Sequence, residues 1–219
     1  MSTKSKKSYK FITFSDGKTK KIPKDWDVKT LSDICVDIAS GGTPSTSNPE
    51  NFGGKIPWVV ISDIKPIITK TKDSLTEKGF KNCSSKLWSK GTVILSTGAT
   101  IGKVGIAAME LCTKQGITGF VPKEEMNNKF LALWLEYIKP ELQKKADGAT
   151  VKEIYQRDLK KITIPVPPKD EQLKISNIFL NIENTVEITN KIIEKTKILK
   201  KGLMQNLFTK GINHTNFKK

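Results

Sequence analysis

One stretch of the sequence comes close to a phosphate-binding loop without completing it. Gly98-Ala99-Thr100-Ile101-Gly102-Lys103-Val104 has glycines and a lysine in the order that such a loop requires. A phosphate-binding loop, however, has four residues between its glycines and a Ser or Thr after its lysine. Here three residues separate the glycines, and a valine follows the lysine. We therefore do not expect nucleotide binding at this site.

Three other catalytic patterns are also incomplete. Asp147 with Asp158-Leu159-Lys160 is similar to a nuclease pattern, but no further acidic cluster supports it. Asn48-Pro49-Glu50 lacks the aromatic residue of an amino-methyltransferase loop. His214 is the only histidine, so a serine or cysteine nucleophile has no credible base. We predict a non-catalytic chain with no metal or cofactor of its own.

Polar side chains that could contact nucleic acid concentrate in three loops rich in turn-forming residues. Short hydroxyl and amide side chains can reach base edges or phosphates, and lysines neutralise phosphates. For any single residue, a solvated turn is the more common explanation, and only the three loops together favour DNA. The candidate DNA-binding residues are Thr43, Ser45, Thr46, Asn48, Asn51, Lys65, Lys70, Lys72, Thr97, Thr100 and Lys103.

The net charge of +16 agrees with a polyanionic partner but does not establish one. Residues 1–24 carry +7, residues 25–169 carry +5 and residues 170–219 carry +4. Lysine supplies 37 of the 38 basic residues, which is also expected of an AT-rich genome. Charge alone leaves nucleic-acid binding and plain composition as equal alternatives.

Membrane insertion and disulfide bonding are not expected. No apolar run approaches the roughly 20 residues of a membrane span, and residues 1–10 lack the apolar stretch of a signal peptide. Cys35, Cys83 and Cys112 lie far apart and form no CxxC pair. This usage indicates a reducing cytoplasm and argues against a structural zinc site.

Composition divides the chain into a basic tail that we expect to be flexible (1–22), an α+β domain (23–168), a long helix (169–210) and a C-terminal tail (211–219). Within the domain, helix spacing of apolar residues favours helices at 26–40 and 130–137. Short runs rich in β-branched residues predict strands at 56–61, 92–96, 104–108, 117–121 and 162–168.

The long helix has an apolar stripe that its own domain is too short to cover. About 38 residues at ~1.5 Å each give a rod of ~57 Å. Packing along the chain's own domain is the less favoured alternative, and we predict an intermolecular coiled coil. The expected interface residues are Ile175, Ile178, Ile182, Val186, Ile192, Ile193, Leu199 and Leu203.

The order of several short segments resembles the target recognition domain of type I restriction–modification specificity subunits. Each segment is weak alone, but together they cover about residues 23–212. The segments are Gly41-Gly42-Thr43-Pro44-Ser45, 54–59 with Ser62-Asp63-Ile64, 91–94 with 99–104, Ala146-Asp147-Gly148-Ala149-Thr150, 159–168, Glu171-Gln172 and 202–208.

This resemblance implies a DNA-binding specificity subunit that is not an enzyme. Family members position methyltransferase and restriction subunits, and S-adenosylmethionine, ATP and magnesium are expected on those partners only. They carry two recognition domains and two antiparallel helices, whereas this chain has one of each. The uncovered stripe of the long helix and this difference together predict a second copy of the chain, paired through antiparallel helices, with two inverted half-sites in the DNA target.

Three alternatives remain open. The chain could be a half-subunit or truncated product that pairs with a different specificity chain. It could be a scaffold that uses its helix without recognising DNA, or, less favoured, a small DNA-modifying enzyme. Binding of S-adenosylmethionine by the isolated chain would support the enzyme, and a random-DNA selection would separate the scaffold from a specific reader.

Overall fold

The computed structural model describes residues 8–15, 17–146 and 153–212. The chain divides into two compact units, a globular unit (Met1–Lys174) and a helical unit (Ile175–Lys219). Most of the segment Ala146-Asp147-Gly148-Ala149-Thr150, and also His214, lie outside the described residues. Among the described residues, no helix combines the length and hydropathy that crossing a membrane would require.

The described part of the globular unit contains twelve strands and the beginning of the last helix. The strands are β1 (Tyr9–Thr13), β2 (Thr19–Pro23), β3 (Asp27–Thr30), β4 (Cys35–Ser40), β5 (Phe52–Val59), β6 (Ile67–Ile68), β7 (Asp73–Leu75), β8 (Val93–Ser96), β9 (Val104–Ala107), β10 (Cys112–Thr113), β11 (Ile117–Pro122) and β12 (Thr163–Val166). The helices are α1 (Leu31–Ile34), α2 (Glu77–Lys81), α3 (Asn128–Tyr137), α4 (Lys139–Lys145), α5 (Gln156–Lys160) and α6 (Lys169–Lys210).

Two sheets organise the domain. The larger sheet has the order β4-β11-β8-β9-β6 and is antiparallel except for the β6–β9 pair. The smaller sheet has the order β10-β5-β7, and β12 pairs separately with β3. The strands predicted from β-branched runs are confirmed as β5, β8, β9, β11 and β12, and the helix predicted at 130–137 is confirmed as α3.

The helix expected at 26–40 is wrong for most of that range. Only α1 forms, for a single turn capped by Thr30, whose side chain accepts a hydrogen bond from the Asp33 N–H. The chain then enters β4, which pairs along β11. Leu31, Ile34, Cys35 and Ile38 are all buried, so the helix-like spacing arose from a core shared by a turn and a strand.

The tail expected over residues 1–22 forms, in its described part, an antiparallel hairpin of β1 and β2. Phe14 and Ile22 are buried, so the hydrophobic effect holds this hairpin against the domain. The Ser15 side chain also donates a hydrogen bond to Glu141 at 3.2 Å. Apolar residues spaced between lysines were enough to attach this basic segment to the domain.

All three cysteines are free thiols. Cys35 and Cys112 are buried, and burial raises the pKa of each thiol to about 12. Both thiols therefore stay protonated and poorly reactive at neutral pH. Cys83 is half-buried.

The first turn of α6 is attached to the globular unit by hydrogen bonds. The Gln172 side chain accepts a hydrogen bond from the Asn127 N–H at 2.8 Å and donates one to the Pro167 carbonyl at 2.9 Å. Trp26 Nε1 donates to Glu171 at 3.0 Å. Glu171-Gln172 therefore fix where the helix begins.

One hydrophobic core cluster contains Trp88, which is 1% exposed. Its indole N–H donates to Thr113 Oγ1 at 3.2 Å. The ring lies against the backbone of Gly119 in β11, where an added Cβ would be 2.5 Å from Trp88 Cε2. This packing requires a residue without a side chain.

We predict that Gly119→Ala lowers the free energy of unfolding by about 1–3 kcal/mol, because the new methyl group overlaps the indole ring. Gly202→Ala is the matched control, since an added Cβ there meets nothing within 4 Å and alanine favours a helix. Denaturant unfolding followed by tryptophan fluorescence measures both. Equal stability of Gly119→Ala and the unchanged chain would contradict the packing.

Candidate nucleic-acid interface

The first predicted DNA-contacting loop leaves the end of β4 and is held by backbone hydrogen bonds. Gly41 N donates to the Ile117 carbonyl at 2.8 Å, and Gly42 N donates to the Thr113 carbonyl at 3.0 Å. Thr43 is half-buried beyond these anchors, and Ser45 and Thr46 are exposed. The loop therefore presents hydroxyl groups from a fixed base.

Two residues of this loop have structural roles. Asn48 is half-buried and its Oδ1 accepts the Glu50 N–H at 3.1 Å, which caps the short turn Pro49–Asn51. Asn51 is 1% exposed, and its amide donates to the Ser45 carbonyl and accepts from Asn82. The structure therefore places Asn51 inside the domain and not on the surface of the loop, with its polar atoms hydrogen-bonded there.

The second predicted loop forms a cleft of about 350 Å³, which we call the lysine cleft. Lys65, Lys70 and Lys72 line it and are exposed, together with one carboxylate, Asp63. That carboxylate accepts the Val60 N–H at 3.1 Å. The three predicted lysines are thus brought together around one concave surface.

The third predicted loop joins β8 to β9 and divides into buried and exposed residues. Thr97 is fully buried, and its hydroxyl is hydrogen-bonded to Thr118 at 3.2 Å. The structure therefore places Thr97 in the interior and not on the surface of the loop. Thr100 and Lys103 are exposed. Strand β9 follows this loop where a phosphate-binding loop needs a helix, so the loop connects two antiparallel strands and is not a phosphate-binding loop.

A second cleft, of about 620 Å³, lies beside the first and was not predicted. We call it the mixed cleft, because Lys114, Gln115 and Glu153 line it together with Thr43. Ser62 lines both clefts, so they adjoin. Lys114 and Gln115 are neighbours in the sequence, but Glu153 lies far from them along the chain, and no local sequence signal joined the three.

Neither cleft has the residues of a metal site. Over residues 8–15, 17–146 and 153–212, no group of three or more His, Cys, Asp or Glu side chains could hold a metal ion. Asp158, part of the nuclease-like pattern, lies on α5 beside Arg157, which contacts its carboxylate at 3.4 Å. What the surface offers is hydrogen-bonding groups and positive charge.

The globular unit combines a mixed α/β fold with two polar clefts, and its last strand is followed by the long helix α6. The family model described as the type I restriction modification DNA specificity domain matches residues 23–197. The chain therefore belongs to the type I restriction–modification DNA specificity family.

Individual relatives agree with this family. The type I restriction enzyme MjaIX specificity subunit of Methanocaldococcus jannaschii is 36% identical over 188 residues, which are 80% of this chain and 42% of that protein. A solved structure from work on complex assembly and conformational transition of the type I R-M system has a TM-score of 0.71 at 25% identity, over 87% of this chain and 46% of that one.

The HsdS subunit from Thermoanaerobacter tengcongensis shares the fold, with a TM-score of 0.66 at 23% identity over 87% of this chain and 46% of its own. The predicted α/β domain followed by a long helix is thus confirmed. The chain spans about half the length of the curated relatives it matches, between 42% and 48% for three of them.

Proposed function

We propose that the chain is a non-catalytic, DNA-recognising half of a type I specificity subunit. Two copies pair through α6 in opposite directions and bind two inverted half-sites separated by a spacer, which is an interrupted palindrome. The assembly docks methyltransferase and restriction subunits, which supply S-adenosylmethionine, ATP and magnesium chemistry. The observation that carries this proposal is the exposed apolar stripe of α6.

The stripe supports pairing because its side chains are too exposed for a helix that stays alone in water. Of the eight predicted interface residues, Ile175 is half-buried and seven are exposed. The exposed fractions of those seven lie between 45% and 61%. The seven are Ile178, Ile182, Val186, Ile192, Ile193, Leu199 and Leu203.

Threonines that interrupt the stripe are also suited to burial. The hydroxyls of Thr185, Thr189 and Thr196 each donate to the carbonyl four residues earlier, at 2.8 Å. A hydroxyl that is already hydrogen-bonded inside its own helix has little to lose on leaving water. These positions therefore present methyl groups to a partner helix.

The sequence of the stripe is complementary to itself when the two helices run in opposite directions. One register places Ile178 opposite Leu203, Ile182 opposite Leu199 and Thr185 opposite Thr196 of the second copy. Ile178 and Ile182 then face leucines and Thr185 faces a threonine, whereas Thr189 faces Ile192 and Ile175 faces Asn206. Sliding by one heptad would place Ile182 opposite Asn206 or Ile178 opposite Thr196. Of these three registers, only the first gives both Ile178 and Ile182 an apolar partner, and it is the one that we propose.

Charge favours the same direction. Residues 175–190 carry a net charge of −2, and residues 191–210 carry +5. Antiparallel pairing sets the acidic half of each helix beside the basic half of the other, whereas parallel pairing sets like charges together. Direction and register are thus supported independently.

The DNA contacts in this proposal lie on the loops and clefts of the globular unit. The lysine cleft neutralises phosphates, and Thr43 and Ala99, from the two hydroxyl-bearing loops, line the adjoining mixed cleft. With Asn51 and Thr97 removed as buried residues, the proposed contacts are Thr43, Ser45, Thr46, Asn48, Lys65, Lys70, Lys72, Thr100 and Lys103. Modest charge on this unit implies weak, salt-sensitive binding by the isolated chain.

We predict that Thr185→Cys/Thr196→Cys, in a Cys83→Ser background, forms a disulfide-linked dimer on mild oxidation. In the proposed register each new cysteine faces the other kind in the second copy. Either single variant should stay unlinked, because its two copies lie about 16 Å apart along the axis. Asn184→Cys/Lys197→Cys, on the outer face, is the matched control and should not cross-link. Non-reducing gels measure all four.

A Thr185→Cys single variant that cross-links as well as the double variant would indicate parallel helices and contradict the proposed direction. A monomer at micromolar concentration in sedimentation, with no cross-link, would contradict self-pairing. It would point to the helix of a different specificity chain as the partner.

We predict that Lys65→Ala/Lys70→Ala/Lys72→Ala weakens binding to all duplex DNA sequences alike. The slope of log affinity against log salt should decrease by about 0.9 for each phosphate that is no longer neutralised. The control Lys78→Ala/Lys81→Ala/Lys86→Ala removes the same charge, and Lys78 and Lys86 already pair with Glu50 and Asp37. Fluorescence anisotropy over a salt series measures both. Equal weakening by the two triple variants would show that only net charge matters and would contradict a phosphate-binding cleft.

A further inference from the structure

The mixed cleft presents polar side chains from a rigid turn. Lys114 and Gln115 are exposed at the turn between β10 and β11. The Ile117 N–H closes the turn on the Lys114 carbonyl at 3.1 Å, and Gly116 adopts a φ of +80°, which a side chain would strain. The Lys114 N–H also donates to the Val59 carbonyl at 3.0 Å. The turn is therefore held by a hydrogen bond within itself and by a second one to strand β5.

The opposite wall of the cleft is joined to the same turn. The Gly116 carbonyl accepts the N–H groups of Thr97 and Gly98, at 2.8 and 3.0 Å. Glu153 pairs with Gly98 through an isolated bridge, and the next N–H, of Ile154, donates to the Thr97 carbonyl at 2.9 Å. Gln115 and Glu153 are thus held on connected backbone, so little ordering is needed when they bind a ligand.

The two clefts differ in the chemistry of their side chains. The lysine cleft has three lysines against one carboxylate, which suits a phosphate. The mixed cleft has one lysine and one carboxylate, with an amide that both donates and accepts. A carboxylate repels a phosphate but accepts hydrogen bonds from the amino groups of bases. This chemistry suits the edge of a base pair.

We propose that the mixed cleft recognises a base pair of the half-site in the major groove, with Gln115 and Glu153 as specificity-determining residues. Gln115 makes paired hydrogen bonds to N6 and N7 of an adenine, the pairing that glutamine geometry favours. Glu153 accepts from an exocyclic amino group of the same or the neighbouring pair. Lys114 and the lysine cleft hold the adjacent backbone. This inference rests on the proposed function and adds which residues choose the sequence.

The test uses the full chain assembled with its methyltransferase subunits on a library of random duplex DNA. Sequencing of the methylated molecules gives the preferred base at each position. Gln115→Ala should reduce discrimination about ten- to hundred-fold at one position of each half-site and leave other positions unchanged. Gln115→Glu, which keeps the size but loses both donors, should also reduce it. Glu153→Gln should alter preference at that position or the adjoining one.

Matched controls are Gln205→Ala on α6 and Glu136→Gln on α3, both exposed and outside either cleft; neither should change the motif. The lysine-cleft triple variant should weaken methylation with the motif intact. Unchanged discrimination by folded Gln115→Ala, Gln115→Glu and Glu153→Gln would overturn the assignment of the cleft. A complex of the unaltered chain that methylates without any preferred sequence would instead overturn the proposed function.

Discussion

The constraint on which the proposed assembly depends is the apolar stripe of α6. Full burial of one aliphatic side chain contributes about 1.5–3 kcal/mol, while association costs about 4–15 kcal/mol. Several such side chains on each of two helices are enough to offset that cost. The threonines keep the stripe continuous, since each hydroxyl is hydrogen-bonded within the helix. In our proposal, the same pairing that buries the stripe sets the distance between two recognition domains.

The globular unit supplies the second requirement, which is a rigid surface with polar side chains on it. Backbone hydrogen bonds from Gly41, Gly42 and Gly116 connect loops that are far apart in sequence. Gln172 then joins the end of this domain to the first turn of α6. Loops fixed in this way can vary their exposed side chains without disturbing the core, which suits the sequence recognition that we propose.

The sequence predicted the elements whose signals are local. β-branched runs indicated β8, β9 and β11, and a long apolar stripe at helix spacing indicated α6. It did not separate exposed from buried members of one residue type: Thr100 is exposed, whereas Thr97 is buried against Thr118. The mixed cleft was missed because only long-range backbone hydrogen bonds bring Gln115 and Glu153 to the same cleft. Residues 9–23 were expected to be flexible because they are rich in lysine, but Phe14 and Ile22 are buried in the core.

In our proposal, one chain provides one half of a twofold-symmetric DNA reader. The most direct test is the target sequence methylated by the complex of this single chain with its methyltransferase subunits. We predict an interrupted palindrome, with two identical inverted half-sites and a spacer of constant length. An asymmetric target, with two different half-sites, would contradict it, because identical domains on antiparallel helices cannot recognise different sequences.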